Sequence, residues 1–470
     1  MRIKLNNYDY RYEVFQIVNL FFPWETEFVD DDGDLLIAIE SNTLNISYNE
    51  KTIQKYFENN FPIKEQIKKE LYLFLYEVTG VSFPWGILVG IRPTKIAHML
   101  LEEGLSQSEV VKYYKEHYLT QENKARLCLE VAKAEKRFIY SAPRKISIYI
   151  GMPFCPTRCV YCSFTSNPIN SCKNLVEPYL EALRKEIEFA GEYILNHGLD
   201  VDSIYFGGGT PTSISDEQFE RLMAIIDINI LQKLKVKEYT VECGRPDSIT
   251  TNKLFSMKEH GVNRISINPQ TMNDSTLKAI GRLHSAKEVI TTYEQARAIG
   301  FESINMDLIL GLPGEGLQEV IKTLKEIEKL APDNITIHGL SIKRASKLHE
   351  QVSSVEKHKL DEIISYYNET AKLAERLGLR PYYMYRQKNM VGNMENVGYA
   401  YPGKECLYNI LMIEENQSVM ALGADAISKA VYIKENRIER YRNIKDVKEY
   451  INRLNTQLQE KAIFFDKLYL

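Results

Sequence analysis

Short β-rich apolar runs recur through the middle of the chain, at Ser147–Gly151, Asp202–Phe206, Tyr239–Cys243, Arg264–Ile267, Ser303–Leu310 and Asn334–Gly339. Between most of them the apolar positions return at helical spacing, over Leu175–Leu195, Asp216–Ile228, Ser285–Ala298 and Gly316–Leu330. Six strands alternating with helices predict an α/β fold with a parallel sheet joined by right-handed crossovers, and six units suffice for an open, partial (β/α)6 barrel. In such barrels the chemistry sits at the carboxyl ends of the strands. The residues just past each apolar run are therefore the place to look for a site.

The flanks carry other patterns. Before residue 146, Leu35–Glu40 and Leu44–Tyr48 predict a hairpin turning at Ser41-Asn42, and Ile67–Val78, Lys95–Glu102 and Thr120–Phe138 predict helices. Pro84-Trp85-Gly86 and Arg92-Pro93-Thr94 punctuate this stretch as turns or as a binding loop. From about Leu348 a long amphipathic helix runs to Leu377, and the chain ends in Lys- and Glu-rich helical sequence. Between them Tyr382–Glu415, rich in Tyr and Asn, is too long for an ordinary connection. These changes of pattern divide the chain into an α+β amino-terminal domain (1–145), the barrel (146–345) and a mostly helical carboxy-terminal domain (346–470) that would cover the substrate.

A length of 470 residues accommodates two or three domains with proper cores. No apolar run approaches a membrane span, and Met1-Arg2-Ile3-Lys4 leads into no signal-peptide core, so a cytoplasmic protein is expected. Seven cysteines without disulfide-framework spacing suit a reducing compartment. A net charge of −4 argues against nucleic-acid binding driven by bulk electrostatics.

Three of those cysteines, Cys155, Cys159 and Cys162, stand at Cys-x-x-x-Cys-x-x-Cys spacing directly after the first barrel strand. Three thiolates on one tight loop can hold three irons of a 4Fe-4S cubane and leave the fourth iron open. A zinc site more often has two Cys-x-x-Cys pairs or closely spaced histidines, and no second pair or nearby His completes this set. Further candidates line the predicted barrel mouth. Gly207-Gly208-Gly209-Thr210-Pro211 follows the second strand, where glycines let the backbone approach a bound group. Glu242 ends the third strand, as a ligand or a solvated strand-end charge, and Gln270 lies past the fourth. Asp307 inside the fifth strand is costly unless paired or used, and Arg282 is either its partner or a helix cap. His284 reads as a satisfied or surface histidine and stays outside the catalytic set.

Together these residues resemble the radical S-adenosylmethionine (SAM) enzymes, and within them the oxygen-independent coproporphyrinogen III oxidase (coproporphyrinogen dehydrogenase) family, particularly its HemZ-like branch. The resemblance runs from about Ile146 to Lys429. It rests on Tyr149 six residues before the first cysteine, Tyr161 before the third, Gly207–Pro211, Glu242, Gln270, Arg282 and Asp307. Arg386, Lys388, Asn396–Ala400 and Leu422–Asp425 look like the HemZ-type carboxy-terminal region. The resemblance implies that Cys155, Cys159 and Cys162 hold a 4Fe-4S cluster whose open iron binds SAM. It makes Tyr149 the candidate catalytic residue and gives Tyr149, Tyr161, Gly208, Gly209, Thr210, Glu242, Gln270, Arg282 and Asp307 to cofactor binding. Some members bind a second SAM molecule close to the first.

The implied reaction is oxidative decarboxylation of coproporphyrinogen III to protoporphyrinogen IX. A 5′-deoxyadenosyl radical would take hydrogen from a propionate β-carbon, and loss of carbon dioxide and one electron would leave a vinyl group. A low-potential donor such as flavodoxin or ferredoxin is the implied partner. Arg386 and Lys388 are either cations for the propionates or residues of a solvated face. In one respect the sequence departs from the dehydrogenases, which carry a further cysteine two residues after the third ligand; here that position is Phe164, and the haem-chaperone branch lacks the cysteine too. A haem chaperone, or radical chemistry on another tetrapyrrole such as haem, therefore stands as the alternative.

Overall fold

The computed structural model describes every residue except 24, 60, 141, 164, 165, 342–359, 388 and 389. The chain divides into two units, Met1–Ala132 with Tyr385–Glu395 and Lys133–Met384 with Asn396–Leu470.

The larger unit is built on an eleven-stranded sheet whose centre is six parallel strands in chain order. These are β1 (Lys145–Met152), β2 (Asp200–Gly208), β3 (Glu238–Gly244), β4 (Arg264–Ile267), β5 (Ile304–Leu310) and β6 (Asn334–Gly339). Each overlaps a run expected from the sequence, and β4 and β6 coincide with theirs. Their two faces differ sharply. Ile148, Ile150, Ile204, Phe206, Val241, Ile265 and Ile267 are fully buried and alternate with Tyr149, Tyr205, Glu242 and Ser266. The register pairs Tyr149 with Tyr205, Tyr205 with Thr240, Glu242 with Ser266 and Ser266 with Asn305, so these polar side chains share the inner face. Partial barrels need this division, because the outer face must be apolar to bury the crossover helices while the inner face is free to carry chemistry.

The crossovers run over Lys173–Asn196, Asp216–Ile226, Thr251–Glu259, Ala286–Ile299 and Leu317–Leu330. Ser215 and Ser285 start two of them with complete capping boxes, closed by Gln218 and Glu288. The sequence pattern had not marked Thr251–Glu259, a short helix of mixed polarity capped by the Thr250 side chain.

The last third of the chain carries helices Leu360–Arg376, Leu407–Glu414, Val447–Asn452 and Leu454–Tyr469. Residues 342–359, where the helix expected from Leu348 would begin, lie outside the described residues. The same third also extends the sheet at both edges. Antiparallel Asn396–Ala400 follows β6 and is flanked by Arg380–Tyr385. Ser418–Leu422 runs parallel to β1 and is followed by Ile427–Tyr432 and Arg437–Arg442. Among the described residues, no helix is long and apolar enough to cross a membrane.

The smaller unit holds a five-stranded sheet ordered Glu27–Phe28, Arg2–Leu5, Leu35–Ile39, Thr43–Tyr48 and Lys51–Tyr56, together with helices Arg11–Phe21 and Ile63–Thr79. Helices Thr94–Glu102 and Gln107–Tyr118 follow. The segment Tyr385–Glu395 is threaded into this unit. The Arg386 guanidinium lies over Trp85, 5.0 Å from the ring centroid, and donates to the carbonyls of Leu88, Asn393 and Met394. Glu395 accepts from Trp85 Nε1 at 2.8 Å and pairs with Lys124 Nζ at 2.6 Å. Arg386 is thus neither a propionate cation nor part of a solvated face: it is a buried structural cation whose N–H groups satisfy backbone carbonyls. Lys388 lies outside the described residues.

Candidate active site

The cysteine loop leaves β1 at Met152 and is tied at its base, where Phe154–Cys155 pairs with Asn167–Pro168. Cys155 and Cys159 are buried, Cys162 is half-buried, and none of the three is in a disulfide. The loop is held from several sides. Val160 donates its N–H to the Ile280 carbonyl at 3.1 Å, Cys162 to the Cys159 carbonyl at 3.2 Å, and the Thr157 hydroxyl to the Gly281 carbonyl at 2.9 Å. Gly209 and Thr210 give their N–H groups to the carbonyls of Met152 and Phe154, at 2.6 and 2.8 Å, and the Thr210 hydroxyl points to Cys155 Sγ at 3.4 Å. A Cβ on Gly209 would stand 2.5 Å from the Phe154 oxygen and 2.9 Å from Cys155 Sγ, which only glycine avoids. Burial pushes the Cys155 thiol up to about 11, partly offset by the Thr210 hydroxyl.

Across the inner face two carboxyl groups behave oppositely. Burial lifts Glu242 to about 8, the Asp307 charge adds to the rise, and a hydrogen bond with Tyr205 opposes it. A Cβ on Gly207 would meet Glu242 Oε2 at 2.7 Å, so the first glycine of the triplet makes room for this carboxyl group. For Asp307 burial also pushes upward, but His338, Asn305 and Thr336 outweigh it and hold the group below its ordinary value. His338 Nε2 stands 3.6 Å from Asp307 Oδ2, Asn305 Nδ2 donates to Oδ1 at 2.7 Å, and Thr336 donates to Asn305 Oδ1 at 2.9 Å. At neutral pH the mouth presents one neutral acid and one anion.

Gln270 takes a left-handed backbone (φ 68°) and bridges to β5, its N–H donating to the Asp307 carbonyl at 2.9 Å. Its Oε1 is buried without a hydrogen-bond partner among the described residues. Arg282 does not pair with Asp307: its guanidinium donates to the Tyr161 hydroxyl at 3.2 Å and the Asn268 carbonyl at 2.6 Å, linking the cysteine loop to the end of β4, while its backbone N–H caps the helix Asp274–Ala279 through the Leu277 carbonyl at 2.9 Å. Tyr149 and Tyr205 stack at 6.3 Å, and Tyr408, from the helix Leu407–Glu414, stacks on Tyr205 at 4.5 Å. Burial first, then Glu242 and Asp425, pushes the Tyr149 hydroxyl well above its ordinary range.

Of the site residues read from the sequence, Tyr149, Glu242 and Asp307 lie on the strands, Cys155, Cys159, Tyr161 and Cys162 on the cysteine loop, Gly208, Gly209 and Thr210 on the glycine loop, Gln270 just past β4 and Arg282 after the helix Asp274–Ala279. Others went unmarked. Tyr205 could have been found from its alternation with the buried positions of β2. Thr157, Arg245 and Tyr408 belong to no spacing pattern, and only the fold brings them to the site. His284, set aside as satisfied or superficial, is buried with Nδ1 3.7 Å from Asp247 Oδ1.

The model of the radical SAM superfamily matches residues 149–327. The oxygen-independent coproporphyrinogen-III oxidase-like protein HemZ of Bacillus subtilis (strain 168) is 39% identical over 425 residues, 88% of this chain and 85% of that protein. The chain belongs to the HemZ-like family of radical SAM proteins. This HemZ-like chain is also 39% identical over 197 residues to the heme chaperone HemW of B. subtilis (strain 168), a match covering 42% of the chain and 50% of HemW. Its fold is shared by the radical SAM coproporphyrinogen III oxidase HemN from Escherichia coli, with a TM-score of 0.53 and 22% identity over 70% of this chain and 73% of that one.

Radical SAM membership implies a 4Fe-4S cluster and SAM, and the residues fit them. Three cysteines outside any disulfide share one braced loop, glycine stands where any side chain would strike Cys155, and the unsatisfied Gln270 oxygen lies in the same mouth as the two carboxyl groups.

Proposed function

We propose that this HemZ-like protein is an oxidoreductase that decarboxylates propionate side chains of coproporphyrinogen III without oxygen, forming the vinyl groups of protoporphyrinogen IX. The observation that supports this most is the kinship with the coproporphyrinogen-III oxidase-like HemZ along 425 residues, far beyond the barrel that radical SAM proteins have in common. Cys155, Cys159 and Cys162 would hold the cluster, and with SAM bound it would supply a 5′-deoxyadenosyl radical able to take hydrogen from an unactivated carbon.

The chain's own residues position and seclude. Glu242, Gln270 and Asp307 offer acceptor oxygens to the ammonium and hydroxyl groups of SAM, and Gln270 Oε1 gains the partner it lacks. Arg282 and Tyr161 fix the cysteine loop against Asn268. Stacked Tyr149, Tyr205 and Tyr408 fill the barrel interior and exclude water, which would otherwise quench or divert a reactive intermediate. Of these aromatic residues, Tyr149 would be the catalytic one. A low-potential donor such as flavodoxin or ferredoxin delivers electrons in the cytoplasm.

A haem-chaperone function is the second reading, favoured by Phe164 in place of the dehydrogenases' additional cysteine and by the match to HemW. Anaerobic reconstitution with iron and sulfide, followed by SAM, reductant and coproporphyrinogen III, separates the two. The proposed enzyme releases 5′-deoxyadenosine and a product lacking two carboxyl groups by mass. Stoichiometric haem binding with SAM cleavage but no decarboxylation establishes the chaperone instead.

A further inference from the structure

Arg245 follows β3 and is almost wholly buried, at 3% exposure. Its guanidinium faces two ways. Nε and Nη2 meet the two oxygens of Asp247 at 3.0 and 2.6 Å. Nη1 donates to the Thr157 hydroxyl at 2.6 Å and to the Thr157 carbonyl at 3.3 Å. Thr157 lies within the loop, between Cys155 and Cys159. A permanent positive charge is therefore pressed against the cysteine loop, and its counter-charge sits on the other edge of the same guanidinium.

Behind Asp247, His284 adds no second full charge to the pair: its burial pushes the imidazole down, with Asp247 opposing. Arg282 is a second buried cation at the loop, engaged through Tyr161. A paired but unequally placed ion pair leaves a net field on the side of its nearer member, and a site with little water screens it weakly. One-electron reduction of an iron–sulfur cluster adds negative charge, so a fixed cation close to it favours the reduced form, and hydrogen bonding and nearby charge are recognised levers on cluster potential.

We propose that Arg245 is a positioning residue for the cluster-binding loop and that its charge, partly offset by Asp247 behind it, raises the reduction potential of the cluster. The inference rests on the assignment of a cluster to Cys155, Cys159 and Cys162. The test is a redox titration of reconstituted full-length protein with titanium(III) citrate, followed by electron paramagnetic resonance, after iron and acid-labile sulfide have been measured. Arg245→Met removes the near charge and shifts the midpoint to more negative potential. Asp247→Asn unmasks that charge and shifts it to more positive potential. Thr157→Val keeps both charges but loses the hydroxyl contact, so it alters the line shape with a smaller shift than Arg245→Met. A merely structural brace does not produce opposite signs from the two members of one ion pair.

Shifts of the same sign, or no shift in either variant at full cluster content, overturn the proposal. Where Arg245→Met loses its cluster, Arg245→Lys and Asp247→Asn decide: a positive shift in Asp247→Asn with a retained cluster in Arg245→Lys supports it, and an unmoved midpoint in both overturns it. A wild-type protein that takes up no iron and sulfide would instead sink the underlying cluster assignment, and is told apart by the metal analysis alone.

Discussion

Glu242 owes its chemistry to its position on β3. The carboxyl group rises from an ordinary 4.5 to about 8 because burial and Asp307 both penalise its charge. The folded protein therefore holds a proton that the unfolded chain gives up between those two values, and stability falls as pH climbs through that window. Replacing Glu242 with Gln removes the dependence: the variant gains thermal stability over wild type at pH 9 and differs little at pH 5, as differential scanning across pH will read. SAM affinity of reconstituted protein falls by roughly one to two decades in Glu242→Ala and Asp307→Ala, the worth of a charge-assisted hydrogen bond of about 1.5 to 3 kcal/mol. Calorimetry checks it, and cluster content stays unchanged. Alanine at Cys155, Cys159 or Cys162 abolishes stoichiometric iron and sulfide, whereas alanine at Cys128, Cys172, Cys243 or Cys406 does not. Cys243 is buried against Met257 Sδ at 3.6 Å, and Cys406 contacts Glu238 at 3.4 Å. The ligand cysteines and mouth carboxylates were legible because chemistry dictates their spacing or their place at a strand's end. Arg245 and Tyr408 were not: their roles arise from partners distant in sequence, which no local pattern encodes.

Among the elements, the central strands were legible because each is a short apolar run bounded by turns, and crossover helices must alternate with them. Strands Ser418–Leu422 and Ile427–Tyr432 escaped notice because nothing local tells an edge strand from a loop until β1 is there to pair with it. What holds that edge is a polar cluster. Lys461, from the last helix, and Glu186, from the helix Lys173–Asn196, are both fully buried and paired at 2.5 Å. Glu186 also accepts from Tyr450, Asn443 and the Gly423 N–H, while Lys461 donates to the Ala421 carbonyl at 2.6 Å. The pair thus fixes the turn after Ser418–Leu422, beside the end of β1 from which the cysteine loop departs; there the Tyr179 hydroxyl donates to the Gly151 carbonyl and accepts from the Ala424 N–H. Lys461→Met strands a buried carboxylate and destabilises by roughly 3 to 5 kcal/mol, while Lys461→Met with Glu186→Gln loses markedly less, because the unpaired charge is gone. Urea unfolding of these two variants and of Glu186→Gln alone gives the coupling directly.

At the scale of the whole molecule, the amino-terminal residues and the barrel are not successive beads on the chain. Tyr385–Glu395 leaves the larger unit and returns to it, and inside the smaller unit it supplies Arg386 and Glu395 to Trp85, Leu88 and Lys124. A boundary drawn from sequence pattern misses such an excursion, since pattern reports local periodicity and not where a segment docks. Deleting residues 1–132 alone consequently removes every one of those partners and leaves Arg386 and Glu395 as charges built for burial on a segment with nothing to bury it. That truncated protein should aggregate or unfold in part, with weak, non-cooperative melting. Deleting 1–132 and also replacing 385–395 by a short Gly-Ser turn should behave better, because Arg380–Tyr385 and Asn396–Ala400 are neighbours in the sheet and a turn can join them. The second deletion is expected to stay soluble and take up iron and sulfide on its intact cysteine loop. Size-exclusion chromatography and metal analysis of both proteins check this, and equal solubility of the two would show that Arg386 and Glu395 do not anchor the excursion.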